Sequence, residues 1–270
     1  MKLLQCLLYN NDCYKVNATM KPTRIVVHST GANNPWLSRC VQPTKYQKTG
    51  MGGRTCDEMT KLLGENKYGN DWNRSGITKC VHGFIGKLAD GSVATVQTLP
   101  YNLKCWGVGK GHKGSFNNSA LQFEIMEDNC NSRSYFNKVY NEAIEFCAML
   151  CKKYNIPVEN IVSHKEAYEM GYGSNHGDPE YWFGKFGYTM DDFRNAVNKK
   201  LNSSSTLPYK VKVTVDSLNI RKGPGKDYDK VGCIKDKGVY TITEVKGNWG
   251  HLRSGAGWIC LKGYTEKYKG

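Results

Sequence analysis

"TRIVVHST", Thr23 to Thr30, is an apolar run of strand length that closes on a histidine. In an extended chain successive side chains alternate between faces, so Ile25 and Val27 go to one side and Val26 and His28 to the other. An imidazole thereby arrives at a strand end, where a sheet can open into a site. Two further runs share this design. "LQFEIMED" directs Leu121, Phe123 and Ile125 to one face and Glu124 to the other, and a carboxylate in mid-strand is costly to bury without a partner. "NIVSH" ends on Ser163-His164, and Asp178-Pro179 follows in the Gly-rich loop of "SHKEAYEMGYGSNHGDPEYWF", Ser163 to Phe183.

Around these runs the first two hundred residues mix strands and helices. "CVHGFIGKLADGSVATV" reads as a hairpin turning at Asp90-Gly91. In "YFNKVYNEAIEFCAMLCKKY" the residues Phe136, Val139, Tyr140, Ala143, Phe146, Cys147, Leu150 and Cys151 form a helical stripe, which makes Cys147 and Cys151 core packing. "TMDDFRNAVNKKL" pairs Thr189 with Asp192 as a capping box and reads as a closing helix. "MKLLQCLLYNND" starts like a signal peptide, but its apolar part stops at Tyr9 and no small-residue cleavage site follows, so it reads as a first strand. The expectation is an α/β unit with a mixed central sheet of at least three strands and flanking helices.

"NSSSTLP", Asn202 to Pro208, is a polar, Ser-rich break, and the pattern changes after it. "YKVKVTV", "LNIRKGPG", "VGCIKDKGVYTITEV" and "WGHLRSGAGWICL" are short alternating runs divided by Gly and Pro, the pattern of a small all-β barrel. The expected division is therefore 1–201, a linker 202–208, and 209–270.

The chain has 270 residues and a formal net charge of +14, which favours a polyanionic partner. From Leu207 to Gly270 thirteen basic residues face six acidic ones, so half of the excess sits in the small unit. The sequence carries no helix-turn-helix, zinc-finger spacing or RNA-binding strand motif, which argues against nucleic acid. It also has no apolar run near the roughly 20 residues of a membrane helix. Eleven cysteines without framework spacing read as reduced thiols.

His28, His164 and Asp178 are of zinc-ligand type, with Glu124 nearby if the strands are neighbours. Three protein ligands leave a fourth tetrahedral position for water, whose pKa the metal lowers to about 7, and the carboxylate can take its proton. Spacing alone leaves the alternative open that both histidines are satisfied core residues and Asp178 a turn residue.

"RIVVHSTGANNP", "HGFIGKLADGSVATVQTLPYNLKCWGVG", "NNSALQFEIMED", "VSHKEA" and "HGDPEYWF" together resemble the zinc-dependent N-acetylmuramoyl-L-alanine amidases of type 2, relatives of peptidoglycan-recognition proteins, in order from about Arg24 to Phe183. The resemblance implies that His28, His164 and Asp178 bind zinc and that Glu124 is the general base. Two residues before the last ligand many relatives have a lysine that touches the oxyanion; here His176 stands there, and a protonated imidazole suits the same task. After Trp106, where relatives often read Trp-His, this chain has Gly107. His82 is read as either a cleft or a packed strand residue, His112 as a surface or substrate-loop group, and His251 is given no chemistry. Tyr181-Trp182-Phe183 is read as packing.

"DSLNIRKGPG" and "GNWGHLRSGAGWICL" resemble bacterial SH3 domains, modules that tether lytic enzymes to the wall. The expectation is a peptidoglycan hydrolase, a phage or prophage endolysin or an autolysin. It would be made in the cytoplasm, act at the cell wall, and hold anionic wall polymers through its basic module. Two rival readings are a non-catalytic peptidoglycan binder and a cysteine-dependent wall peptidase.

Overall fold

The structure is a computed structural model and describes residues 1–202 and 207–268. The chain divides into two compact units, Met1–Asn198 and Lys199–Gly270. Most of the expected linker, residues 203–206, lies outside the described residues.

In chain order the first unit comprises β1 (Leu3–Gln5), α1 (Asp12–Val16), β2 (Arg24–Ser29), α2 (Cys56–Leu63), β3 (Gly83–Lys87) and β4 (Val93–Gln97). It continues with β5 (Ala120–Ile125), α3 (Arg133–Tyr154), β6 (Ile161–Ser163), α4 (His164–Glu169), α5 (Glu180–Lys185) and α6 (Met190–Asn202), the last four residues of which fall past the unit boundary. The strands form one mixed sheet in the order β1-β4-β3-β5-β2-β6. β2 lies between two parallel neighbours, which suits its nearly unbroken apolar run. β3 and β4 form the antiparallel hairpin expected around Asp90-Gly91, and β1 adds to its edge in parallel.

Register decides which side chains share a face. His28 pairs with Glu124, Glu124 with Phe84, Phe84 with Val96, and Val96 with Leu4. This row continues the face that carries Val26 and Gln122, a pair one step earlier. Phe123 points to the opposite face, where α3 lays its apolar stripe; Phe146 meets Phe123 edge-on at 5.4 Å. Ser132 caps the start of α3, and Asn155 ends it at φ 54° in the left-handed region. Cys147 and Cys151 are buried in that stripe, and all eleven cysteines are free thiols.

On the site-bearing face two packed patches stand apart. One sets Leu37, Met51, Met59 and Leu63 against Leu4, Phe84 and Val96. The other sets Val108, Phe116, Val162 and Ala167 around Val26. His28, Gln122 and Glu124 belong to the same face and to neither patch. α6 carries the expected Thr189–Asp192 capping box. Its Arg194 grips both oxygens of Glu166 at 2.9 Å and the carbonyl of Ile161 at 2.9 Å, which ties it to α4 and β6.

The second unit contains β7 (Tyr209–Val213), β8 (Leu218–Arg221), β9 (Lys230–Ile234), β10 (Val239–Lys246), β11 (Trp249–Leu252), β12 (Trp258–Cys260) and β13 (Thr265–Lys267). Every pairing is antiparallel, in the order β13-β7-β10-β11-β12-β8-β9. Val211, Val213, Leu218, Ile234, Ile242, Leu252 and Ile259 form its core. This all-β architecture is consistent with an SH3-like domain. His251 lies beside the Trp258 ring. Among the described residues no helix is long and apolar enough to cross a membrane.

Candidate active site

His28 is the penultimate residue of β2 and is 1% exposed. β6 ends one residue earlier than the sequence suggests, at Ser163. That residue is the N-cap of α4: its Oγ accepts from Glu166 N at 2.8 Å, and Glu166 accepts from Ser163 N at 2.9 Å. His164 therefore opens the helix and is 4% exposed. Asp178, 7% exposed, comes from the loop before α5. The Ser29 amide donates to its Oδ2 at 3.2 Å, and its own carbonyl accepts from Lys165 N at 3.3 Å. The backbone that follows β2 thus holds the carboxylate against the histidine that β2 carries.

The three groups converge. His28 Nδ1 and His164 Nδ1 are 3.0 Å apart, and Asp178 offers Oδ2 to the first and Oδ1 to the second, each at 3.3 Å. All candidate ligand atoms lie within 4.8 Å of one another. Bonds of about 2.0–2.1 Å to a tetrahedral zinc would separate its ligand atoms by about 3.3 Å, so this spacing fits such an ion. Burial pushes the Asp178 carboxyl up, but hydrogen bonds and charge from His164 and His28 outweigh it and hold the group well below the usual carboxylate range. An ionised carboxylate and two imidazole nitrogens make a donor set that a divalent metal would neutralise.

The outer nitrogens fix the tautomers. His28 Nε2 donates to Gln122 Oε1 at 3.0 Å, so the neutral ring that a metal requires turns its Nδ1 lone pair toward the centre. Ser174 Oγ gives its proton to the Val108 carbonyl at 3.3 Å and accepts from His164 Nε2 at 3.2 Å. Both holders are anchored on one segment. Gln122 Nε2 donates to Asn117 Oδ1, which also accepts from Val108 N, and Val108 O accepts from Ser174 N. A closed circuit of hydrogen bonds therefore runs from one imidazole to the other through residues 108–122. Gln122 and Ser174 escaped the sequence reading. Strand alternation, which puts Gln122 on the face of His28, is the signal that finds the first; the second depends on a loop fold that no local pattern encodes.

Glu124 stands beside His28 in register, and its Oε2 is buried with no hydrogen-bond partner among the described residues. Burial, then the negative charges of Asp178 and Glu127, push its carboxyl well above the usual range, with Lys79 opposing. A buried carboxyl oxygen without a partner is costly, and active sites are where such groups are retained.

The remaining sequence candidates separate. His176 is exposed, stacks on the His164 ring at 4.4 Å, and has its Nδ1 3.1 Å from Ser174 Oγ. His82 is the packed residue: its Nδ1 accepts from Gln122 N and its Nε2 donates to Leu103 O. His112 lies against Gly171 in the loop that meets the end of α4. Trp182 and Phe183 are buried as packing, but Tyr181 is half-exposed. Its hydroxyl donates to Glu127 and lies 3.4 Å from Ser29 Oγ.

Residues 18–181 match the family model described as N-acetylmuramoyl-L-alanine amidase (Amidase_2). Protein Ami of Listeria monocytogenes is 24% identical over 157 residues, which are 54% of this chain and 15% of that protein. Among solved structures, the PlyG catalytic domain is 19% identical at a TM-score of 0.47, covering 76% of this chain and 99% of its own. PlyL is 20% identical at a TM-score of 0.44, covering 73% and 94%.

Proposed function

Because the chain belongs to the N-acetylmuramoyl-L-alanine amidase family, we propose that it hydrolyses the amide between the lactyl group of N-acetylmuramic acid and the L-alanine of the stem peptide in peptidoglycan. The observation that carries this reading is the convergence of His28, His164 and Asp178 on one point beside the unpartnered oxygen of Glu124.

In this reading those three residues hold zinc. When bound, the ion supplies Lewis acidity toward the scissile carbonyl and lowers the pKa of water toward neutrality. Glu124 takes the proton of the attacking water and returns it to the leaving amine nitrogen. His176, resting on the His164 ring, donates to the oxyanion as it develops. Gln122 and Ser174 keep the two imidazoles turned toward the centre.

Residues 1–201 would form the catalytic domain, 202–208 a linker, and 209–270 an SH3-like domain that concentrates the enzyme on anionic wall polymers. The protein would be made in the cytoplasm and act at the bacterial cell wall as a phage or prophage lysin or an autolysin. Digestion of purified peptidoglycan with and without chelator, followed by mass analysis, tests the reading. New L-alanine amino termini that vanish with chelator and return with zinc support it. Cleavage of another bond, or turnover insensitive to chelator and abolished by thiol alkylation, overturns it.

A further inference from the structure

His28 and His164 reach the metal-type centre from a strand and a helix, but Asp178 comes from a loop, so its position is the one that regular structure does not fix. We infer that Glu127 is the positioning residue for Asp178, a clamp that closes this loop over the end of β2 before any ion arrives; the inference rests on the metal reading above. β2 and β5 are parallel neighbours, so the chain leaves both at the same end of the sheet. There Thr30 N donates to Ile125 O at 3.1 Å, and Glu127 N donates to Thr30 Oγ1 at 3.2 Å. Glu127 is thereby set against the residues that follow β2.

The Glu127 side chain joins those residues to α5. Its Oε1 accepts from Gly31 N at 3.0 Å and from the Tyr181 hydroxyl, and its Oε2 accepts from Cys130 Sγ at 3.2 Å. The segment Asp178 to Tyr181 is therefore tied to the segment Ser29 to Gly31 at both ends. Asp178 Oδ2 sits on Ser29 N at one end, and at the other Glu127 bridges Tyr181 to Gly31. The Tyr181 hydroxyl also lies 3.4 Å from Oγ of Ser29, the residue whose amide holds Asp178. One amide hydrogen bond would leave the loop free to pivot. The second tie removes that freedom, so an incoming ion does not have to order the loop itself. Glu127 is 3% exposed, and among the described residues its partners are these neutral donors, with no lysine or arginine. A carboxyl buried without a cation is costly, and simple packing would be served better by an apolar side chain. The clamp also accounts for Tyr181, half-exposed, yet with its hydroxyl turned into the protein.

The test is the zinc affinity of the full chain, read by competition with a chelator and without substrate. Tyr181→Phe keeps the ring, removes only the hydroxyl, and should bind zinc about tenfold more weakly. Glu127→Ala should lose at least as much. Glu127→Gln keeps an oxygen for Gly31 N and the Tyr181 hydroxyl, and should restore most of the affinity. In an Asp178→Ala background Tyr181→Phe should cost nothing further, because the clamp acts through that ligand. Wild-type affinity in Tyr181→Phe overturns the assignment, as does an undiminished loss once Asp178 is gone. A lower Tm of metal-free Tyr181→Phe with zinc affinity unchanged overturns it too, since the bond would then serve stability alone. Tyr181→Phe decides the matter if Glu127→Ala does not fold. A wild type that binds zinc but opens no amide in peptidoglycan sinks the amidase reading and leaves the clamp standing. A wild type that binds zinc and cleaves, beside variants that bind equally well, does the reverse.

Discussion

A methyl group on Gly107 would stand 2.5 Å from Gln122 Oε1, the atom that receives the His28 Nε2 proton, and 3.0 Å from Val81 Cγ1. The bare backbone at Gly107 is what lets Gln122 reach the imidazole. Gly107→Ala should therefore turn Gln122 away and weaken zinc binding about 10–100-fold, the usual cost of losing an outer partner of a metal histidine. Competition against a chromophoric chelator measures this. Unchanged affinity in a folded variant would mean that Gln122 does not orient His28.

Under the proposed mechanism Glu124→Gln removes the proton acceptor and keeps the shape. Zinc content should stay at one per chain, and release of amino termini from peptidoglycan should fall about 10²–10⁴-fold. Equal turnover by wild type and variant would deny Glu124 its role.

Burial pushes the His82 imidazole down from 6.5 to about 4, although its bonds to Leu103 and Gln122 pull the other way. The unfolded chain therefore binds more protons than the folded one between those values. Stability contributed by neutral His82 is complete above pH 6.5 and is lost as pH falls toward 4, by about 3 kcal/mol in total. Denaturant titrations of metal-free protein from pH 7.5 to 4.5 should show a shallower loss for His82→Asn than for wild type. Parallel curves would locate the acid sensitivity elsewhere.

Burial raises the Cys147 thiol far above its ordinary range and pushes that of Cys151 up to about 12. Iodoacetamide on the native protein should spare both and reach only the partly exposed Cys56, Cys233 and Cys260. Lytic activity should persist after alkylation. Mapping by mass spectrometry together with an activity assay decides the matter, and loss of activity on alkylation would favour a thiol nucleophile.

Much of this architecture is legible because it is local or periodic. The alternation in "RIVVHST" puts His28 on its face, the stripe from Phe136 to Cys151 makes α3, and Thr189 with Asp192 starts α6. The strand order is not written in any segment, since β1 joins β4 across some ninety residues. The start of α4 at His164 was hidden for a different reason. Ser163 serves both as the last residue of a strand and as a helix cap, and an apolar run followed by a polar loop does not show that double use. Tyr181 reads as part of an aromatic packing run, yet its hydroxyl is claimed by Glu127, a contact set by tertiary placement.

The segment from Val108 to Gln122 holds His28 directly through Gln122 and His164 through Ser174, which it anchors, so neither imidazole can be retuned alone. A relative that carries a bulky side chain where this chain has Gly107 must find another way to steer its first histidine, and positions 107 and 122 should therefore vary as a pair across the family, two letters of one word.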